Sequence, residues 1–284
     1  MILEDPIYGK FDINDEIILT LLENKAVLRL KELNQSGLIA YINGYNEFSR
    51  YDHSIGCMLL LRHLGATVEE QVAALLHDVS HTAFSYVIDT VFSDSLTRNY
   101  HDYFRERIMF WSEIPELLTQ ANIDTGYVLN KHNFILLERK TPTMCADRVD
   151  YALRTLWYYF NKQNVVKRYF DQLINFNGEM VFRDREVAAE FAYDYLHLDS
   201  TVYNNYRNQS AFYLLSDAIK LALASENISE DDFLLSDVAL WDKLTAIKDD
   251  TVSVLMSAIN PNLKAYIDNN YFDYAIYTRP RYIN

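Results

Sequence analysis

Four residues between Arg50 and Tyr86, in RYDHSIGCMLLLRHLGATVEEQVAALLHDVSHTAFSY, have the types and setting for shared chemistry: His53, His77, Asp78 and His81. Imidazole and carboxylate are the ligands of borderline divalent metals, and several of them on neighbouring buried helices build a metal site. His77 and Asp78 are adjacent, so on a regular helix their side chains point about 100° apart. Both reach one ion only from a helix end or a tight bend, and the Val-Ser-His-Thr that follows suits a bend. A lone histidine on an apolar helix is more often a hydrogen-bonded core residue than a ligand. Asp147, in CADRVDYALRTLWYYF, shifts that balance. It is a carboxylate on an otherwise apolar helical face, and a buried carboxylate needs a partner.

The elements that must position these groups are read from the pattern around them. A helix from Asp52 to Leu64 is closed by Gly65, and Thr67 to Glu70 forms a capping box that starts the next. That helix turns Val72, Leu75 and Leu76 inward and ends at His77-Asp78. In an antiparallel pair with a short turn, the start of the first helix meets the end of the second, which brings His53 to His77 and Asp78. Pro142 suits the start of a long helix from Thr143 to Asn161, where Asp147, Asp150 and Tyr151 fall within one turn. Upstream, Tyr8–Ile13 alternates like a short strand, Asn14 or Asp15 caps a helix through Leu22, and a second helix, Ala26–Gln35, stops at Ser36-Gly37. Arg29 and Gln35, on its polar side, read as a solvated face. Downstream, LINF-NG-EMVF between Leu173 and Phe182 is a β-hairpin about an Asn-Gly turn. Helical pattern resumes from Arg185 to Ala224 with a break; Ser229 and Ser236 begin two short helices, and Pro261 ends a third.

With 284 residues, 50% of them hydrophobic, the chain can bury a substantial core. It has seven glycines and shows no repeat or low-complexity linker. The expected architecture is one all-α domain over 1–284: a metal-binding core at 50–160, a hairpin at 172–183 and a helical part at 185–284. There is no apolar run of membrane length, and MILEDPIYGK lacks the basic and apolar regions of a signal peptide, so a soluble cytoplasmic protein is expected. Cys57 and Cys145, in apolar helical settings, read as buried thiols. The formal charge of −14 disfavours extended nucleic acid but is compatible with a small phosphorylated substrate.

His53, His77-Asp78 and Asp147 together resemble the H…HD…D signature of the HD-domain metal-dependent phosphohydrolases. DPIYGKFDI, RLKELNQSGL, SRYDHSIG, LLHDVSHTAFS, ADRVDYALR and RPRYIN, in that order, are similar to the deoxynucleoside triphosphate triphosphohydrolase branch. The resemblance implies an all-α HD bundle holding one divalent ion (Mn, Fe, Ni, Co, Mg or Zn) on His53, His77, Asp78 and Asp147. It implies His101 supported by Asp89 as the proton-transferring pair, and His81 near the phosphates. Gln35 would touch base or sugar, Arg50 and Arg148 phosphate, and Tyr151 with Tyr206 the nucleoside. Homo-oligomers are implied too, and 22 tyrosines and 15 phenylalanines are more aromatic surface than one domain readily buries.

The chain also departs from that branch. Where the family reads HDxGHGPFSH, this sequence has HDVSHTAFSY, so the last histidine becomes Tyr86. Tyrosine donates a hydrogen bond but is no cation at neutral pH. Asn208 and Gln209 stand where the family's substrate wall is basic or histidine, and Thr155 replaces an acid. The expected activity is hydrolysis of nucleoside triphosphates first and of a monophosphate or other phosphomonoester next. A non-catalytic nucleotide sensor on the same scaffold is the reading from a different class.

Overall fold

A computed structural model describes residues 1–43, 48–92 and 100–263, without the side chains of 100–103 and 131. The chain opens with strands β1 (Ile2–Asp5) and β2 (Gly9–Asp12), paired antiparallel with Ile2 opposite Asp12. The alternation at Tyr8–Ile13 marks β2. Its partner β1 buries only Asp5, so no apolar pattern announces it. Helices α1 (Glu16–Leu22) and α2 (Lys25–Arg29) follow. The second passes into a 3₁₀ turn, Leu30–Glu32, and does not reach Gln35. The helix stops because the chain there receives the next long helix: Asn34 bridges to Ser49, and the Leu33 carbonyl accepts from Arg50 N at 2.8 Å.

After α3 (Leu38–Asn43) comes α4 (Arg50–His63), the axis of the bundle. Ile55 and every residue from Cys57 to Leu61 are buried, so α4 is covered on all sides, as a central helix must be. It begins two residues before Asp52 because Ser49 caps it and Asp52 answers in a capping box, its carboxylate accepting from Ser49 N at 2.8 Å. Gly65, at φ +75°, lets the chain reverse into α5 (Val68–Leu76), which packs along α4. Thr67 caps α5, accepting from Glu70 N at 3.2 Å, but the box is half made. The Glu70 carboxylate accepts from Leu136 N at 3.0 Å and ties down the segment that leads to the last ligand.

Next come α6 (Ser85–Val91), α7 (Tyr100–Ser112), α8 (Ile114–Gln120) and α9 (Thr125–Leu129). Then α10 (Ala146–Tyr158) lies against α4. It starts at Ala146, three residues later than Thr143, because its first amides turn back: Ala146 N and Asp147 N donate to the carbonyls of Leu136 (2.7 Å) and Leu137 (3.3 Å). Helix α11 (Gln163–Gln172) leads to the expected hairpin, β3 (Leu173–Phe176) with β4 (Glu179–Phe182), turning at Asn177-Gly178. The break expected between Arg185 and Ala224 is a π turn, Asp199–Tyr203, between α12 (Arg185–Leu198) and α13 (Tyr206–Ala224). Ser229 and Ser236 begin a 3₁₀ turn (Glu230–Leu234) and α14 (Asp237–Thr245), and α15 (Asp250–Ala258) ends before Pro261. The closing RPRYIN lies outside the described residues. One connected apolar core runs from Ile7 to Ile259, and among the described residues the fold is all-α apart from the two hairpins.

Candidate metal centre

The start of α4 and the end of α5 do meet. His53 sits in the first turn after the Ser49 cap, His77 is the residue that closes α5, and Asp78 lies in the turn that follows. This helix end is how two neighbouring side chains reach one point. His77 Nε2 is 3.3 Å from His53 Nε2 and 3.3 Å from Asp78 Oδ1. Asp147, in the first turn of α10, closes the group: its Oδ1 is 3.2 Å from His53 Nε2 and 4.0 Å from His77 Nε2. Ligand atoms around an ion with bonds of about 2.1 Å stand about 3.0–3.4 Å apart when adjacent and up to about 4.2 Å apart when opposite, so this donor set, with His77 and Asp147 the widest pair, fits a divalent ion.

In their neutral forms both rings can direct the remaining proton away from that point. His77 Nδ1 donates to the Ala74 carbonyl at 2.6 Å, and His53 Nδ1 donates to Asp150 Oδ2 at 2.7 Å. Each leaves Nε2 toward the shared space. While both rings are cationic, burial still raises the Asp147 carboxyl, but the hydrogen bond from His53 Nε2 and the charge of His77 lower it to about 2. Asp78 is likewise held well below the carboxylate range against its burial, by His81, His77 and Arg50. The cationic groups around them therefore hold both acids in the ionised form that ligands must have.

Cys57 also lies close, and the ligand atoms of His53, Cys57 and His77 fall within 4.8 Å of one another. Its sulfur is almost equidistant from the two nitrogens of His53, at 3.7 and 3.8 Å. A ring lone pair points outward in the ring plane, so an ion on Nε2 lies away from an atom placed between both nitrogens. Burial moreover pushes the Cys57 thiol well up, and the geometry favours the carboxylates over the sulfur.

Around this set the structure places the other expected site residues as follows. Arg50 is buried and ion-paired with Asp78 Oδ2 at 2.8 Å, while its Nη2 donates to the Gln35 carbonyl at 3.4 Å. Gln35 is itself buried, which corrects the solvated face read from sequence. Arg29 is part-buried as well, donating to the carbonyls of His81 (2.9 Å) and Leu234 (3.1 Å). His81 Nε2 is 3.1 Å from Asp78 Oδ1. Tyr86 lies with its ring 5.4 Å from the Arg50 guanidinium. Asp89 is exposed on α6, beside a small cavity lined by Ser80, His81 and Phe104. The His101 side chain lies outside the described residues. Arg148 is directed to the carbonyls of Thr143 (3.1 Å) and Arg139, with Glu138 3.8 Å away. Tyr206 is exposed at the start of α13.

Tyr151 stands with its ring 6.5 Å from His53 and forms a tyrosine wall with Tyr195 and Tyr203. Thr155 Oγ1 is 2.8 Å from the Tyr203 hydroxyl. Asn208 and Gln209 use their amides on the end of the π turn, donating to the carbonyls of Val202 (2.7 Å) and Tyr203 (3.3 Å). Sequence reasoning placed Asp150 beside Asp147 as a structural acid but missed the buried group it forms behind His53 with Arg154, Tyr8 and Asp5. Its only sequence trace is polar residues on apolar segments.

Comparison with known proteins agrees with this geometry. The HD domain model matches residues 50–149, which hold all four candidate ligands. The uncharacterized protein YdhJ of Bacillus subtilis is 36% identical over 276 residues, 96% of this chain and 84% of that protein. The metal-dependent phosphohydrolase cns2 of Cordyceps militaris is 33% identical over 213 residues, 72% of this chain and 61% of that one. A deoxynucleoside triphosphate triphosphohydrolase SAMHD1 homolog of Dictyostelium discoideum is 22% identical over 253 residues, 76% of this chain and 48% of its own length. The crystal structure of a phosphohydrolase from Bacteroides thetaiotaomicron shares the fold, with a TM-score of 0.69 at 18% identity over 91% of this chain and 77% of that one. With its H…HD…D residues gathered at one point and relatives of this kind along its length, the chain belongs to the HD-domain family of metal-dependent phosphohydrolases.

Proposed function

We propose that the enzyme hydrolyses a nucleoside monophosphate or a closely related phosphomonoester, using one divalent ion held by His53, His77, Asp78 and Asp147. The observation that carries the choice of substrate is how fully the nearby cations are engaged. Arg50 is locked on Asp78, and Arg148 is turned to two carbonyls and Glu138. A phosphomonoester brings about two negative charges, which one divalent ion balances, whereas a triphosphate brings about four and needs further cations for its leaving group. Tyr86 supplies none. The similarity to the Dictyostelium triphosphohydrolase supports the alternative, release of tripolyphosphate from a deoxynucleoside triphosphate.

When bound, the ion polarises the phosphoryl group and makes water more acidic. The mixed nitrogen and oxygen donors favour Mn, Fe, Co, Ni or Zn over Mg. His81, against Asp78, faces the phosphoryl oxygens; Asp89 with His101 handles the proton; Gln35, Tyr151 and Tyr206 receive sugar and base. Self-association belongs to the same reading, supported by large exposed apolar side chains such as Phe110 and Tyr193; light scattering at micromolar concentration tests it, and a monomer mass counts against it.

The deciding experiment is a panel of nucleoside mono-, di- and triphosphates with each metal, separating orthophosphate from tripolyphosphate. Orthophosphate from monophosphates is expected. Tripolyphosphate from triphosphates, with monophosphates untouched, overturns the substrate assignment and leaves the metal-dependent hydrolase standing.

A further inference from the structure

We propose that the N-terminal hairpin is a working part of the metal centre: Asp5, Tyr8 and Arg154 hold Asp150, and Asp150 holds His53 so that Nε2 faces the ion. This rests on His53 being a ligand, as assigned above.

The chain of contacts is continuous and buried. Asp150 is fully buried one turn beyond the Asp147 level on α10 and accepts His53 Nδ1 on Oδ2 at 2.7 Å. Its other oxygen accepts the Tyr8 hydroxyl at 2.7 Å. Arg154 Nε reaches both carboxylate oxygens, at 3.1 and 2.9 Å. The far end of the same guanidinium, Nη2, donates to Asp5 Oδ2 at 2.7 Å. Asp5 in turn folds the hairpin turn, its Oδ1 accepting Ile7 N at 2.8 Å and Tyr8 N at 3.1 Å. One carboxylate thus aims the Tyr8 hydroxyl and anchors the arginine that orients the second carboxylate.

Each member has a reason to be the residue it is. A phenol is a donor on a rigid arm, and burial with Asp150 beside it keeps Tyr8 protonated at any usable pH. Arginine's planar fork serves two carboxylates from one head, which lysine cannot do. The two acids and one guanidinium leave one negative charge, which is what a histidine donating from Nδ1 needs opposite it. Gly56 completes the arrangement. A Cβ there would stand 1.9 Å from Asp150 Oδ1 and 2.3 Å from Arg154 Nη2, so the two side chains occupy the space that its missing side chain provides.

A group that merely stabilised the fold would not change how tightly a folded molecule holds metal. The matched control is Tyr169, another buried phenol donating to an aspartate, Asp194, at 2.9 Å, away from the relay. Mn²⁺ affinity is measured by titration calorimetry on metal-free wild type, Tyr8→Phe, Asp150→Asn, Tyr169→Phe and Asp147→Ala, with melting curves of each. Tyr8→Phe is expected to lose affinity about 3- to 10-fold and Asp150→Asn about 10- to 100-fold, the range for groups that support a ligand. Tyr169→Phe is expected to melt lower with unchanged affinity. Should Asp150→Asn not fold, Tyr8→Phe decides alone. Wild-type affinity in Tyr8→Phe, with a melting loss like that of Tyr169→Phe, overturns the relay. Failure of the ligand assignment reads differently, as stoichiometric Mn²⁺ retained by Asp147→Ala.

Discussion

Arg50 and Asp78 face each other across the start of α4, 2.8 Å apart, with side chains only 2% and 8% exposed. The pair links the first residue of α4 to a candidate ligand. Removing one member of such a pair leaves the other charged and buried, which costs about 3–5 kcal/mol. Arg50→Ala is therefore expected to lower the unfolding free energy by that amount in urea without metal. Added Mn²⁺ should recover part of the loss, because the ion then compensates Asp78; equal losses with and without Mn²⁺ would place Asp78 outside the metal centre.

Asp147→Ala should purify without its ion. Metal analysis is expected to find about one divalent ion per wild-type chain and a small residue in the variant. Chelation of the wild type should lower the melting point yet leave the far-ultraviolet circular dichroism unchanged at 25 °C, since the apolar core from Ile7 to Ile259 does not depend on the site. Ligand present at a hundredfold its Kd adds about 2.7 kcal/mol. Unfolding on chelation would mean that the ion is chiefly structural.

Gly56→Ala inserts one methyl group where no space exists. Overpacking of this kind costs about 1–3 kcal/mol, and displaced Asp150 adds weakened metal binding. A variant with wild-type melting and Mn²⁺ affinity would show that α4 and α10 can separate without consequence.

Asp237 gives a pH signature at a carboxylate that is not itself a candidate ligand. Its carboxylate is buried and accepts Asn34 N at 2.7 Å and Phe84 N at 2.9 Å, joining α14 to the segments before α3 and α6. Burial raises its pKa despite those bonds. The folded chain therefore keeps this proton after the unfolded chain has lost it. The group stabilises most below the ordinary carboxylate value of about 3.9, and its contribution falls as pH climbs through the raised value. Asn at this position does not titrate, so the stability of wild type relative to Asp237→Asn should decrease from pH 4 to pH 7. A constant difference across that interval contradicts the raised pKa.

The meeting of His53 with His77 and Asp78 was legible in the sequence because the helix ends that bring them together are marked locally, whereas Asp147, 94 residues from His53, joined them through the resemblance to the family signature. His77-Asp78 needed a helix end, and Thr67, Gly65 and the antiparallel return made one. The Asn-Gly hairpin and the Ser236 cap were legible for the same reason. What stayed hidden depends on distant contacts. Tyr8 meets Asp150 across 142 residues, and Arg154 meets Asp5 across 149. No periodicity records such a meeting. Thr67–Glu70 shows the opposite failure, a local motif half overridden when Glu70 was drawn to Leu136. Arg148 and Arg29 have the type for phosphate or solvent, and only the folded chain shows their hydrogen bonds to carbonyl oxygens.

The π turn before α13 bears on any attempt to re-engineer the substrate wall. The bond from Asn204 N to the Asp199 carbonyl, at 2.7 Å, widens the last turn after α12, and extended Asn205 then starts α13 afresh. The carbonyls of Val202 and Tyr203 then end without helical donors, and Asn208 and Gln209 supply them. The amide side chains at 208 and 209 are thus part of how this turn ends. A longer or charged side chain at 208 would have to keep the bond to the Val202 carbonyl from a position that is 2% exposed, so substitutions there act first on the turn from Asp199 to Tyr203 and only then on what lies beside it.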